Sequence, residues 1–474
     1  MKRKTSSLPV RTDQPSRREF LRCGGTLVAA SALAGVALPH VHAAEDNTIR
    51  LALIGCGGRG SGAVADACEA EGGPVKLVVM ADLFENRLTA SHESLSKQYP
   101  DRVDVPPERR FIGFDAYRKA IDCLKPGDVA MLTGYAAWRP QQLEYAVEKG
   151  VNVFMEKSFA TDPPAVRRII KAGEAAEKKN LKIAAGLMCR HSKNRQELIK
   201  RIRDGALGEI LMVRAYRMEP VGPLAPRPAA EKDLFWQIRN FFRFLWVSGG
   251  LWAEMDIHQI DEMCWIKDAY PVSAHGVGGR AANSTDCSQN LDSFSAEWTF
   301  ADGTKGYDVV RYIPNCYNNF ATYIHGTKCA AQFSGNIHAG TVRIYKDQRI
   351  DRDNIAWKGS KSDWAADTSK GAAMWSDASK GGSPWRGEWS ALLNAIRNDR
   401  PHNEAKRAAL SNLTDMMGRA AIHSGKVITW DQAMTSNFQW CPNIDSMNEN
   451  TPPPIQADAQ GRYPVPVPGA WSEM

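Results

Sequence analysis

The chain has 474 residues, of which 43% are hydrophobic and 24% charged. This is too long for one small domain and too apolar for a disordered chain, so two or three domains with sizeable cores are expected. The formal net charge of +7 is concentrated at the amino end: residues 1–43 hold seven Lys/Arg and two Asp/Glu, which leaves 53 basic and 51 acidic groups, a net of +2, in the remainder. No basic face argues for nucleic acid.

Within the amino-terminal piece, Ser16-Arg17-Arg18-Glu19-Phe20-Leu21-Arg22 has the twin-arginine export pattern. The weakly apolar stretch Gly24 to Leu38 follows it, and Val41-His42-Ala43 offers a small-residue cleavage site. The apolar stretch is shorter than the ~20 residues of a membrane span. Residues 1–43 are therefore expected to be a cleaved signal peptide read by the twin-arginine translocation machinery. The mature protein is expected in the periplasm or outside the cell, without stable membrane insertion. Cysteines 56, 68, 123, 189, 264, 287, 316, 329 and 441 remain, none in CxxC spacing. They read as buried thiols rather than as zinc ligands or a disulfide framework.

Ile49 to Ile54 is a short apolar run of strand length that ends in Gly55-Cys56-Gly57-Gly58-Arg59-Gly60, and Ala63 to Ala70 favour helix. A G-x-G-x-x-G sequence at a strand-to-helix turn is the dinucleotide fingerprint. Gly55 permits the tight turn, Gly57 lets backbone approach a pyrophosphate, and Gly60 lets helix pack on strand. The N–H groups at the helix start would hold the phosphate charge. Val75 to Asp82 reads as the next parallel strand, and Asp82 lies 22 residues beyond Gly60. A carboxylate near that spacing binds the ribose 2′-OH and repels a 2′-phosphate, so NAD is favoured over NADP. Free NAD is scarce outside the cytoplasm, so a tightly bound cofactor loaded before export is expected.

Strand and helix patterns then alternate: a helix at Asp115–Leu124, a strand at Asp128–Thr133, a helix at Pro140–Lys149, a strand at Val151–Met155, a helix at Pro163–Lys178 and a strand at Leu181–Ala185. This alternation predicts a doubly wound parallel sheet. After a helix at Lys193–Asp204 the pattern turns strand-rich, at Glu209–Tyr216, Val272–Val277, Asp292–Thr299, Lys305–Tyr312, Thr322–His325 and Thr341–Tyr345. Period-2 alternation there predicts a largely antiparallel sheet. Asp233 to Ile266 is an aromatic-rich helical interruption, helices return at Glu388–Arg397 and Asn403–Ser424, and 360–382 reads as a surface loop. The predicted organisation is α/β plus α+β. A nucleotide-binding domain spans 44–186, a substrate-binding and oligomerisation domain spans 187–440, and a Pro-rich tail, an irregular wrap or a disordered end, spans 441–474.

Two further stretches carry chemistry. Val153-Phe154-Met155-Glu156-Lys157 puts an acid and a lysine just past a strand's C-terminal end, where doubly wound sheets bind ligands. Gly249-Gly250 precedes Glu254-x-x-x-His258-x-x-Asp261, whose spacing sets three polar groups on one helix face. There Glu254 can orient His258 and raise its basicity, and His258 can take a hydroxyl proton, which is the favoured reading. A structural histidine with its partner and a divalent metal site are the alternatives for the same trio.

With the motif at 55–60 and the stretch Leu393 to Trp430, these residues resemble the Gfo/Idh/MocA oxidoreductases. The resemblance implies a Rossmann first domain and a mainly antiparallel second one with flanking helices. It implies NAD held by Gly55, Gly57, Gly58, Arg59, Gly60 and Asp82, with Glu156 and Lys157 near the nicotinamide. It also implies Lys157, His258 and Glu254 as catalytic residues and a homodimer or homotetramer. The family usually has Pro at 158 and Asp at 254, where this chain has Ser158 and Glu254. Arg139, beside Trp138, as well as Arg190, His191, Asp261 and Trp236 are candidate substrate contacts. The activity implied is hydride transfer from a sugar or cyclitol hydroxyl to NAD, with no resident metal. Two alternatives share these residues: an NAD-dependent glycosidase working by transient oxidation, elimination, hydration and reduction, and a non-catalytic carbohydrate-binding protein.

Overall fold

A computed structural model describes residues 47–335, 342–360 and 383–474; the expected export signal at 1–43 and nearly all of the expected surface loop at 360–382 lie outside the described residues. The first sheet is built from β1 (Ile49–Ile54), β2 (Val75–Asp82), β3 (Arg110–Ile112), β4 (Val129–Leu132), β5 (Asn152–Met155) and β6 (Ile183–Ala185), in the order β3-β2-β1-β4-β5-β6 with every pairing parallel. Strands β1, β4 and β5 are buried almost throughout, as a sheet covered on both faces requires. The covering helices are α1 (Gly58–Glu69), α2 (Glu85–Gln98), α3 (Ala116–Asp122), α4 (Arg139–Glu148) and α5 (Pro163–Lys178). Helix α1 begins five residues before the helix-favouring run, because the fingerprint glycines themselves form its first turn. Helix α2 has a polar sequence, ENRLTASHESLSKQ, that gives little apolar periodicity, so pattern reading misses it.

Helix α6 (Lys193–Arg203) leads into β7 (Ile210–Met218). The aromatic interruption is three helices rather than one: α7 (Asp233–Arg239), α8 (Leu245–Ser248) and α9 (Gly250–Lys267). Gly249 and Gly250, at φ of +88° and +77°, make the break between the last two. The second sheet comprises β7 with β8 (Ser273–Gly279), β9 (Ser293–Thr299), β10 (Lys305–Arg311), β11 (Asn319–Gly326), β12 (Ala330–Gly335), β13 (Arg343–Tyr345), β14 (Ile355–Lys358) and β15 (Ile428–Thr429). Its order is β14-β13-β12-β11-β7-β10-β9-β8-β15. All pairings are antiparallel except β7 with β10, which run parallel. Helices α10 (Pro384–Arg397) and α11 (Ala405–Ser424) close the core, and both sheets belong to one compact unit.

Helix α9 is buried on nearly every side. Trp252 and Met263 face the large sheet, Met263 where a side chain on Gly306 would collide with it. Trp252 also donates to the Asp415 carbonyl on α11 at 3.1 Å, and the Glu254 carbonyl accepts from Lys157 just past β5 at 2.6 Å. The tail is an irregular wrap with fixed ends: Tyr463 and Glu473 are buried, and Glu473 pairs with Arg419 at 3.2 Å and His423 at 2.8 Å.

Candidate active site

The fingerprint glycines divide into two kinds. A β-carbon on Gly55 would lie 2.4 Å from the Gly134 nitrogen, and one on Gly60 would lie 2.1 Å from the Gly55 carbonyl oxygen. These two are demanded by the protein's own packing. Gly57 and Gly58 have no atom within 4 Å of that position. They open onto free space at the start of α1, whose first-turn N–H groups find no carbonyl inside the helix. Beside them Asp82 ends β2. Its carboxylate accepts from the Cys56 N–H at 2.6 Å and the Phe84 N–H at 2.8 Å, one to each oxygen. Burial pushes the Asp82 carboxyl up, and those two hydrogen bonds oppose the push. The acid lines a cleft of ≈ 480 Å³ together with Gly55, Gly134, Phe114, Tyr135 and Trp138. An open backbone cradle, a helix start and an acid fixed in a cleft suit the diphosphate and ribose of a dinucleotide.

At the end of β5 the chain turns through Glu156 and Lys157. Glu156 is buried; its carboxylate meets the Arg59 Nε at 2.9 Å and leaves no room for a side chain on Gly186, whose β-carbon would lie 2.7 Å from Oε2. Gly186 is thus glycine because of close approach. Arg59 also pairs with Asp66 at 2.6 Å. The side-chain charges of Arg59 and Glu156 satisfy each other and tie α1 to the Lys157 turn.

The Lys157 ammonium donates to both the carboxylate and the backbone carbonyl of Glu254, each at 2.6 Å. Ser158, in the place of proline, donates its hydroxyl to the Ala253 carbonyl at 2.7 Å. The N–H groups of Phe159 and Ala160 both donate to Asn412 Oδ1, at 2.9 and 2.8 Å. Hydrogen bonds to α9 and α11 therefore fix this turn without a pyrrolidine ring.

His258 lies one helical turn beyond Glu254 and is 7% exposed. Burial, then the positive charges of Lys157, Arg217 and Arg195, hold its imidazole well below the ordinary histidine range. This corrects the expected role of Glu254, whose carboxylate serves Lys157 and leaves His258 a neutral base. The three cations are each matched by an acid: Lys157 with Glu254 at 2.6 Å, Arg217 with Glu219 at 2.7 Å and Arg195 with Glu262 at 3.2 Å. Arg217 also donates to the Met255 carbonyl at 2.9 Å, which joins β7 to α9. Sequence reading missed Arg217 and Arg195. The signal for Arg217 was its place in the inward series Val213, Ala215, Arg217 of a half-buried strand.

The weaker candidates sit elsewhere. Arg190 makes a two-pronged pair with Asp261, at 2.8 and 2.9 Å, and Ser411 donates to the same carboxylate at 2.7 Å. Burial would push the Asp261 carboxyl up, but Arg190 and its companions hold it below the usual range. His191 faces Glu404 at 3.7 Å. Arg139 is fully buried and donates to the carbonyls of Leu132 and Gly134, capping the end of β4; burial pushes its guanidinium down to about 10. Trp236 belongs to an aromatic cluster with Phe84 and Trp138. Arg139, Arg190, His191 and Asp261 thus have partners within the protein, and Trp236 packs among aromatic rings. Among the described residues, no group of three or more His, Cys, Asp or Glu is placed to hold a metal ion.

A parallel nucleotide-type sheet followed by a broad mixed sheet, with a lysine from the first facing a histidine helix on the second, is the Gfo/Idh/MocA fold. Residues 196–332 match the GFO/IDH/MocA C-terminal domain. The scyllo-inositol dehydrogenase of Lactobacillus casei with bound NAD(H) and scyllo-inositol superposes with a TM-score of 0.58 at 19% identity, over 81% of this chain and 99% of that one. The myo-inositol 2-dehydrogenase of Lactobacillus plantarum gives 0.57 at 18%, over 81% and 99%. The aldose-aldose oxidoreductase of Caulobacter crescentus complexed with glycerol gives 0.58 at 16%, over 81% and 99%. No curated protein sequence matches the chain.

Proposed function

We propose that this protein is an exported NAD-dependent oxidoreductase acting on a hydroxyl of a sugar or cyclitol. The observation that carries the reading is the Lys157–Glu254 pair at 2.6 Å beside the buried, neutral His258. A neutral imidazole in a low-dielectric site is ready to accept the hydroxyl proton. Lys157, held by Glu254, can donate a hydrogen bond to the substrate oxygen and stabilise negative charge developing there. Gly57, Gly58 and Asp82 would hold the dinucleotide, and its nicotinamide would supply the hydride acceptor. Three matched ion pairs around one imidazole offer donors and acceptors in balance, which suits a neutral polyol better than an anion. The carboxylate at Asp82 favours NAD over NADP, and the NAD(H) and scyllo-inositol bound by the L. casei enzyme support the same chemistry.

The test is native mass spectrometry of the full-length protein, followed by nicotinamide absorbance on adding scyllo-inositol, myo-inositol or an aldose panel. A co-purifying or added NAD that is reduced by one of these, and no longer reduced after Lys157→Met, is the expected result. Failure to bind any dinucleotide would sink the reading. Release of an aryl aglycone without net nicotinamide reduction would instead favour the glycosidase. Export is tested by replacing Arg17 and Arg18 with lysine, which should retain the chain in the cytoplasmic fraction.

A further inference from the structure

One segment of the second half runs along the whole track that a dinucleotide would take. At the Asp82 end, Phe235 on α7 meets Phe84 edge-on at 6.0 Å and Phe114 at a tilt at 6.2 Å. Arg239 lies 4.0 Å over the Phe84 ring. In the middle, Phe241 meets Tyr135 at 5.2 Å, and Trp246 meets Trp138 at 5.8 Å. At the other end the Phe242 ring lies 6.0 Å from the Lys157 ammonium. Phe114, Tyr135 and Trp138 are the very side chains that wall the cleft beside Asp82.

Two further layers fix this arrangement. Arg87 on α2 donates to the Tyr135 hydroxyl, so the loops after β2 and β4 are clasped together across the cleft. Behind the segment, Trp246 donates to Gln237 at 2.6 Å, Gln237 donates to the Ile455 carbonyl at 2.9 Å, and Tyr463 donates to Asp233. The carboxyl-terminal tail thus pins the segment down. Opening the cleft requires breaking several aromatic pairs and a buried hydrogen-bond chain together.

We propose that residues 233–246 form a strap that holds the dinucleotide captive, as a prosthetic group rather than an exchangeable co-substrate. The inference rests on the dinucleotide-binding reading above. Because affinity differences within one site fall mainly on dissociation, the strap's effect is a slow release rate.

The experiment produces the full chain in cells fed a radiolabelled nicotinamide precursor, so that labelled NAD is bound as the protein folds, removes free nucleotide by gel filtration and follows release into excess unlabelled NAD. Bound label should survive overnight dialysis in the wild type. Phe235→Ala with Phe241→Ala should release it at least about tenfold faster, since the edge-on and tilted aromatic pairs to the cleft walls are lost. Equal rates in variant and wild type, or wild-type release within mixing time, would overturn the strap while leaving the cofactor reading intact. No binding of label by either protein defeats the cofactor reading itself. Hydrogen exchange on the wild type covers the case in which the double variant fails to fold. Amides of residues 233–246 must open no faster than the label leaves; rapid opening with label still bound would refute the strap.

Discussion

Asp415 on α11 offers a sharp test of how this core is charged. It is fully buried, and neither carboxylate oxygen has a hydrogen-bond partner. Burial, opposed by Arg419 and reinforced by Glu254 and Glu473, pushes its carboxyl from 3.8 up to about 7. The folded protein therefore keeps a proton that the unfolded chain releases. An acid raised in this way costs stability as pH climbs through the window from its unfolded to its folded value. A shift of about 3 units at ~1.4 kcal/mol each caps that loss at about 4 kcal/mol. Asp415→Asn is nearly isosteric and neutral at every pH. Near pH ~4 it should match the wild type or fall slightly below it; near pH ~8.5 it should exceed it by about 2–4 kcal/mol. Urea unfolding of both proteins at the two pH values, with m unchanged, reads the difference from the midpoints. A difference that does not vary with pH, or a variant less stable at both, would refute the reasoning.

Further outcomes are expected at the glycines, at His258 and at Asp261. Gly57→Val should leave the urea midpoint unchanged, because the site is open and φ is −75°, yet abolish dinucleotide binding by calorimetry. Gly60→Ala, by contrast, should destabilise the fold by about 1–3 kcal/mol or more through overpacking. The rate of nicotinamide reduction should hold level as pH falls through 6.5 and drop only below it, because the His258 imidazole titrates well under that value. A base depressed in the fold also costs stability once the unfolded chain takes up its proton, so the wild type should weaken below pH 6.5 and His258→Gln should not share that loss; an acid limb above 6.5 would contradict this. Asp261→Asn should cost about 3–5 kcal/mol in unfolding experiments by stranding the Arg190 guanidinium, while the KM for substrate stays within a factor of about two; a large KM change with intact stability would show that Asp261 touches substrate after all.

Where local chemistry decides the outcome, the sequence was readable. The fingerprint turn, the strand ending at Asp82, the helix Pro163–Lys178 and the inward alternation of the large sheet all follow from residues close together in the chain. Lys157 and His258, 101 residues apart in sequence, were brought together only by their places at the end of a strand and on a helix. What stayed hidden was pairing. Nothing near Glu254 reveals that its carboxylate will find Lys157 and not His258, four positions away. Arg139, Arg190 and His191 carry the same side chains as functional residues, and only the tertiary structure shows the carbonyls and carboxylates that occupy them. The break at Gly249-Gly250 precedes a helix buried all round, whose polar and apolar residues are spread about its circumference, so periodicity has no contrast to display.

The bonds that anchor the 157–160 turn have a mechanical consequence. Ala253, Glu254 and Asn412, partners of its residues 157–160, all sit on helices of the second half, so the lysine travels with the helix that carries His258 although it is encoded at the tip of a parallel-sheet strand. Breathing between the two halves would then alter the gap from ammonium to nicotinamide and leave the ammonium–imidazole spacing untouched. Acid and base would stay in register through every turnover, with only the hydride's path opening and closing.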